Sequence, residues 1–157
     1  MKRMLIAVGM LLFPGSLCAQ QNMNMEDYIQ LIRTDLRTAK KEIITQNMEF
    51  SETESKAFWP IYQKYEADLA KIGDVKAQII KEYAKYYELG TLLPTVAEDL
   101  SRRTFKAQKD TIALREKYYD DFKKALPAPK VTRFFQIDNK FQAVVDFQLA
   151  AEIPLAK

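Results

Sequence analysis

The sequence predicts an all-α fold, an elongated bundle of about four helices joined in hairpins, and three observations carry that expectation. Apolar residues recur three, four and seven positions apart through most of the chain. No stretch alternates apolar and polar residues between turns, as a half-buried strand requires. Beyond residue 19 the only glycines are Gly73 and Gly90.

The first helix is expected from about Met25 to Met48. Met25, Ile29, Ile32, Leu36, Ala39 and Ile43 fall on one face, and Arg33, Asp35, Arg37, Lys40, Lys41 and Glu42 mark a charged face opposite. A capping box, Ser51-Glu52-Thr53-Glu54, opens the second helix: the serine oxygen takes an orphan amide and the glutamate reaches back to the cap.

Along that second helix Phe58, Tyr65, Ile72, Ile79 and Tyr86 recur every seven residues, interleaved with Tyr62, Leu69 and Tyr83. This is a heptad seam broken only by Lys76. Pro60 lacks an amide and is expected to kink or interrupt the early turns, while Gly90 stands where a left-handed cap is expected.

A second capping box, Thr95-Val96-Ala97-Glu98, is expected to open a third helix that ends near Leu126. Leu100, Thr104, Ala107, Thr111, Leu114 and Tyr118 form its weakly apolar line, beside a second line of Phe105, Ile112 and Tyr119. Pro127-Ala128-Pro129 reads as a stiff turn. The last helix, from about Lys130 to Glu152, is so apolar that it is expected to be buried in the fold or against a partner chain.

At the start of the chain, Lys2 and Arg3 precede an apolar run from Leu5 to Phe13, a Pro14-Gly15 break and the small residue Ala19. That layout predicts a cleavable secretory signal over residues 1–19, too short for a membrane anchor, which needs roughly twenty apolar residues. Leu17 stands where a lipobox before Cys18 would place a small residue, which argues against a lipoprotein. Cleavage leaves residues 20–157 as a single helical domain in the periplasm, without a transmembrane anchor.

Of 24 basic residues, the loss of Lys2 and Arg3 leaves 22 against 21 acidic ones, a net charge of +1. That balance argues against nucleic acid as a partner, because phosphate neutralisation needs a basic excess. The chain has no histidine, and its one cysteine is Cys18 within the expected signal. Most nucleophile and base pairings are thereby removed, and Ser51, Ser55 and Ser101 have no visible activator. No enzyme activity and no cofactor are expected. Neither imidazole nor thiolate is present for zinc, and no D-x-D-x-D-G loop for calcium, so no metal is expected either.

The candidate binding residues are the cluster Arg102, Arg103, Lys106 and Lys109 on the third helix with Phe105 and Ile112 beside it, and Tyr86 and Tyr87 at the end of the second. Such residues suit loose binding of the acidic and apolar parts of an unfolded chain. The competing reading is a solvated face balanced by Glu98, Asp99 and Asp110, with the tyrosines in a packing seam.

Two segments also carry a resemblance. Phe58-Trp59-Pro60-Ile61-Tyr62 through Tyr65-Glu66 resembles the F-W-P-x-Y-x-x-Y-E pattern of exported proteins of the LTXXQ group, the Spy and CpxP relatives. Leu126-Pro127, Arg133 to Lys140 and Leu149 to Leu155 are similar to the C-terminal segments of an uncharacterised branch of that group. The name-giving L-T-x-x-Q is not intact, since Phe50-Ser51-Glu52-Thr53-Glu54 and Arg133-Phe134-Phe135-Gln136 stand at its two expected places.

The resemblance implies a cradle-like homodimer in the periplasm that shields unfolded or envelope proteins without ATP. A second role it implies is reporting envelope stress to a membrane sensor. A purely structural oligomer is the remaining alternative.

Overall fold

The computed structural model describes the backbone of residues 25–156 and the side chains from Thr34 onward, Glu152 excepted. The expected signal over residues 1–19 lies outside the described residues. The chain divides into two compact units, Met1–Asp35 and Leu36–Lys157, and the packing below is that of the second.

Four helices, α1 (Met25–Met48), α2 (Glu52–Glu88), α3 (Pro94–Ala125) and α4 (Ala128–Glu152), follow one another through short turns, with no strand among the described residues. An all-α bundle is what the heptad and three-four spacing predicts.

Local chemistry sets most boundaries. Ser51 caps α2 as a full capping box: its hydroxyl accepts from the Glu54 amide while the Glu54 carboxylate accepts from the Ser51 amide. At the other end Gly90 adopts φ +62°, so its amide reaches the Tyr87 carbonyl and the Thr91 amide the Tyr86 carbonyl. This is a Schellman cap, in which a Cβ would be strained by the left-handed backbone. Lys130 of α4 closes the α1–α2 turn, donating to the Glu49 carbonyl at 2.8 Å and to Glu54 at 2.6 Å.

Three boundary expectations are corrected. α2 runs unbroken through Pro60, whose ring lies on the exposed side, so the missing amide falls on the solvent side of the helix. The Thr95–Glu98 box does not form. Instead Leu93 is the N-cap and α3 starts two residues earlier with Pro94 in its first turn, where the ring pre-sets φ and an amide is not needed. Ala128 and Pro129 likewise belong to the first turn of α4 rather than to a turn before it.

Buried side chains from all four helices build one core: Ile44 and Met48, then Phe58, Tyr62 and Tyr65, then Tyr118 and Phe122, then Val131 and Phe134. Phe122 and Phe134 have ring centroids 4.5 Å apart, and Phe58 sits 5.3 Å from Phe122 and 5.2 Å from Phe134. Each such ring contributes roughly 1.5–3 kcal/mol by leaving water. Close backbone pairing joins α2 to α3 and α3 to α4. Tyr118 donates to Asp68 at 2.8 Å across α2 and α3, and Tyr83 to the Pro154 carbonyl at 2.8 Å, which returns the end of the chain to α2.

The α1 face is corrected too. Ala39 and Ile43 are exposed, and the buried line is Lys40, Ile44 and Met48, with Leu36 half-buried above it. Lys40 therefore turns inward, contrary to its place on the expected charged face. α4 is buried only over its first half. Val131, Phe134 and Asp138 face the core, whereas Val144 and Phe147 are exposed, Phe147 at 76%.

Candidate functional site

α3 presents two opposite sides. Leu100, Ala107, Thr111 and Tyr118 are buried against the bundle. Residues seven apart on a helix drift by only about 20°, so Phe105, Ile112 and Tyr119 form a single stripe. It faces outward: Phe105 is 60% exposed and Ile112 58%. Three large apolar side chains in line on the solvent side of a charged helix are not explained by core packing.

At its Tyr119 end the stripe runs into a groove between α3 and α4 lined by Arg115, Tyr119, Phe135, Gln136 and Asn139. The Tyr119 and Phe135 rings are 6.1 Å apart at the mouth of that groove. Aromatic edges and amides side by side suit a ligand that is apolar with occasional polar backbone groups.

The basic residues divide around this stripe. Arg102 donates through Nε and Nη2 to Glu98 one turn away, and Lys106 pairs with Asp110 at 2.6 Å. Both pairs are exposed and of the i,i+4 type, worth well under about 1 kcal/mol each, so an incoming acidic group exchanges readily with them. Lys109 is exposed on the same side.

Arg103 differs, and its grouping with the others is corrected. Adjacent residues point about 100° apart, so Arg103 turns toward α2, where it bonds both oxygens of Glu82 and also Asp99 at 3.3 Å. The Arg103 guanidinium holds the Glu82 carboxyl below its usual range, and the bond is a bridge between helices. Tyr86 and Tyr87 are half-buried in the last turn of α2, Tyr87 lying 5.9 Å from Tyr83, and their carbonyls accept the cap bonds. The structure thus assembles Arg102, Phe105, Lys106, Lys109 and Ile112 on one face and leaves Tyr86 and Tyr87 in a separate place at the end of α2.

A second constellation was not legible in the sequence. Asp138 of α4, 1% exposed, accepts from Lys40 of α1 at 2.6 Å through Oδ1, and through Oδ2 from Tyr65 of α2 and Arg115 of α3, both at 2.9 Å. Lys40 also donates to Glu66 at 2.6 Å. Two cations and two carboxylates make a neutral cluster to which every helix contributes. Burial, and then the Asp138 charge, push the Tyr65 phenol up, so it stays a donor. Arg115 Nε is buried and has no hydrogen-bond partner among the described residues.

With both oxygens engaged by three donors, Asp138 is poorly placed to accept a further proton from a substrate, and the cluster reads as a positioning device. No set of three or more acidic residues is arranged to hold a metal ion among the described residues. Nor is any helix among them long and apolar enough to cross a membrane. Comparison of the chain with protein-family models, characterised proteins and solved structures gave no match.

Proposed function

We propose that the protein is an exported, ATP-independent holdase that shields unfolded envelope proteins in the periplasm. The observation that carries this reading is the outward apolar stripe Phe105, Ile112 and Tyr119, with more than half of Phe105 and Ile112 in solvent. Exchangeable ion pairs border it. A holdase needs apolar contact that is extensive but shallow, because a deep pocket would select one ligand and reject the rest. The resemblance to the LTXXQ group and the signal-like start of the chain support the same reading.

The test is suppression of client aggregation by residues 20–157 at several salt concentrations. Suppression is expected, weakening as salt screens the cations beside the stripe. Ile112→Asp is expected to reduce it while leaving the helical circular-dichroism signal intact. Absence of suppression at every ratio would refute the proposal. In that case a saturable partner recovered by crosslinking would identify instead a regulatory adaptor for a membrane sensor.

A further inference from the structure

α4 lines the groove beside Tyr119 with three polar side chains that make no bond of their own. Thr132, Gln136 and Asn139 are exposed there and have no hydrogen-bond partner among the described residues. Elsewhere the same residue types are tied back to their own helices. Thr45, Thr104 and Thr111 donate to the carbonyl one turn before them, Asn47 to the Ile43 carbonyl, and Gln78 and Gln142 to the acidic residues four positions on. Spaced four and three residues apart, Thr132, Gln136 and Asn139 share one face of α4 and span about 10.5 Å. Three residues of an extended chain cover about 10 Å.

A main chain that leaves water must keep a partner for its N–H and C=O groups, and an amide side chain offers both a donor and an acceptor. Across the groove the Tyr119 and Phe135 rings, 6.1 Å apart, offer an apolar slot. Side chains of an extended segment alternate, so with its main chain along α4 every second one enters that slot.

Charge selects further. Arg115 and Glu116 are the charged residues of the lining. Arg115 is answered from the core by Asp138 at 2.9 Å, whereas Glu116 is exposed and has no ion pair among the described residues. The groove thus presents one uncompensated negative charge, a helical turn from Tyr119. The Tyr119 ring already accepts a cation, with Lys123 Nζ 5.4 Å from its centroid.

We infer that the α3–α4 groove binds an extended peptide segment by its main chain, which runs along Thr132, Gln136 and Asn139. An apolar side chain of the segment lies between Tyr119 and Phe135, and a neighbouring lysine or arginine pairs with Glu116. Main-chain contacts are common to every sequence, so the site is permissive and biased only by that pair. Taking the segment as part of an unfolded client rests on the holdase reading; binding of such a segment does not.

The probe is a fluorescein-labelled peptide with Lys-Phe-Lys at the centre of a glycine-serine chain. It is titrated with the full chain purified after secretion, and binding is read by anisotropy. Saturable binding is expected. Methylating the central backbone nitrogens removes their donors and keeps the side chains, and is expected to weaken binding about tenfold. Gln136→Ala with Asn139→Ala should weaken it by a similar factor and lose the discrimination between methylated and unmethylated peptide. Both amides are exposed, so thermal unfolding should not move. Glu116→Lys should reverse the charge preference, so that a Glu-Phe-Glu peptide binds more tightly than Lys-Phe-Lys.

No saturable binding, or unchanged affinity in the double variant, overturns the site. Weaker binding that still discriminates against methylation overturns the main-chain role of the two amides. A Glu116→Lys variant that still prefers lysine overturns the charge selection. Aggregation suppression measured on the same samples separates this site from the holdase reading. Peptide binding without suppression refutes the holdase and leaves the groove standing; suppression without peptide binding does the reverse.

Discussion

Lys40 Nζ and Asp138 Oδ1 lie 2.6 Å apart in the interior of the bundle, 98 residues apart in sequence, at side-chain exposures of 6% and 1%. The Lys40 stem runs among aromatic rings, with Nζ 5.7 Å from the Tyr65 centroid and 5.8 Å from that of Phe141. A buried pair of this kind contributes little net stability over an apolar pair, because desolvation opposes the attraction, but it penalises every arrangement in which one partner is left alone. It therefore fixes how α1 and α4 meet.

Asp138→Leu is accordingly expected to destabilise the protein by about 3–5 kcal/mol, since it leaves buried Lys40 with Glu66 alone and takes the acceptor from Arg115 and the Tyr65 hydroxyl. Adding Lys40→Met should recover more than half of that loss, because Arg115 and Glu66, at 22% and 18% side-chain exposure, still reach water. Urea unfolding of both single variants and the double variant closes the cycle; additive losses would show that the two residues are not coupled.

The two halves of α4 should respond differently to the same truncation. Phe134→Ala removes a fully buried ring in contact with Phe58, Tyr65 and Phe122 and is expected to cost about 3–5 kcal/mol. Phe147→Ala removes an exposed ring and should change stability by less than about 0.5 kcal/mol. Equal losses in chemical denaturation would contradict the division of α4 into a buried and an exposed half.

One substitution should act with opposite sign at two glycines. A Cβ at Gly73 or Gly90 meets no atom within 4 Å, so only the backbone matters. Gly73→Ala within α2 is expected to stabilise by about 0.5–1 kcal/mol. Gly90→Ala, at φ +62°, should destabilise by about 1–2 kcal/mol. Thermal melts of the two variants give the comparison directly.

Acid should weaken the cross-helix bonds together. Lys130 and the Ser51 amide hold Glu54 below its ordinary 4.5, Lys71 and Tyr118 hold Asp68 below 3.8, and Arg103 lowers Glu82. A carboxyl lowered on folding contributes its stability in full above its unfolded value and loses it as pH falls through the folded one. The urea midpoint should therefore be level between about pH 7 and pH 5 and fall below about pH 4. Glu54→Gln should flatten part of that fall.

Much of the fold is written locally. The Ser51–Glu54 box, Gly90 and the α2 seam through Phe58, Tyr65 and Ile79 act over one to a few turns, so their outcome is visible in the residues themselves. Where two local signals competed, only one won: Pro94 displaced the Thr95–Glu98 box because a preset φ needs no partner. Phe105 and Ile112 were identifiable as a line by their spacing, but spacing alone does not say on which side of α3 that line falls. The packing of α2 and α4 against α3 decided that it faces water.

By itself, then, the sequence determined the all-helical class, the four helices and nearly all their ends, because hydrogen-bond capping and hydrophobic periodicity are short-range. The rotation of α1 about its axis was left to the tertiary structure. Read alone, Lys40 belongs with Lys41 and Glu42 on a solvated face, and Ile43 on the buried one. Only Glu66, 26 residues on, and Asp138 from the far end of the chain, closing around it, offset the cost of burying a lysine.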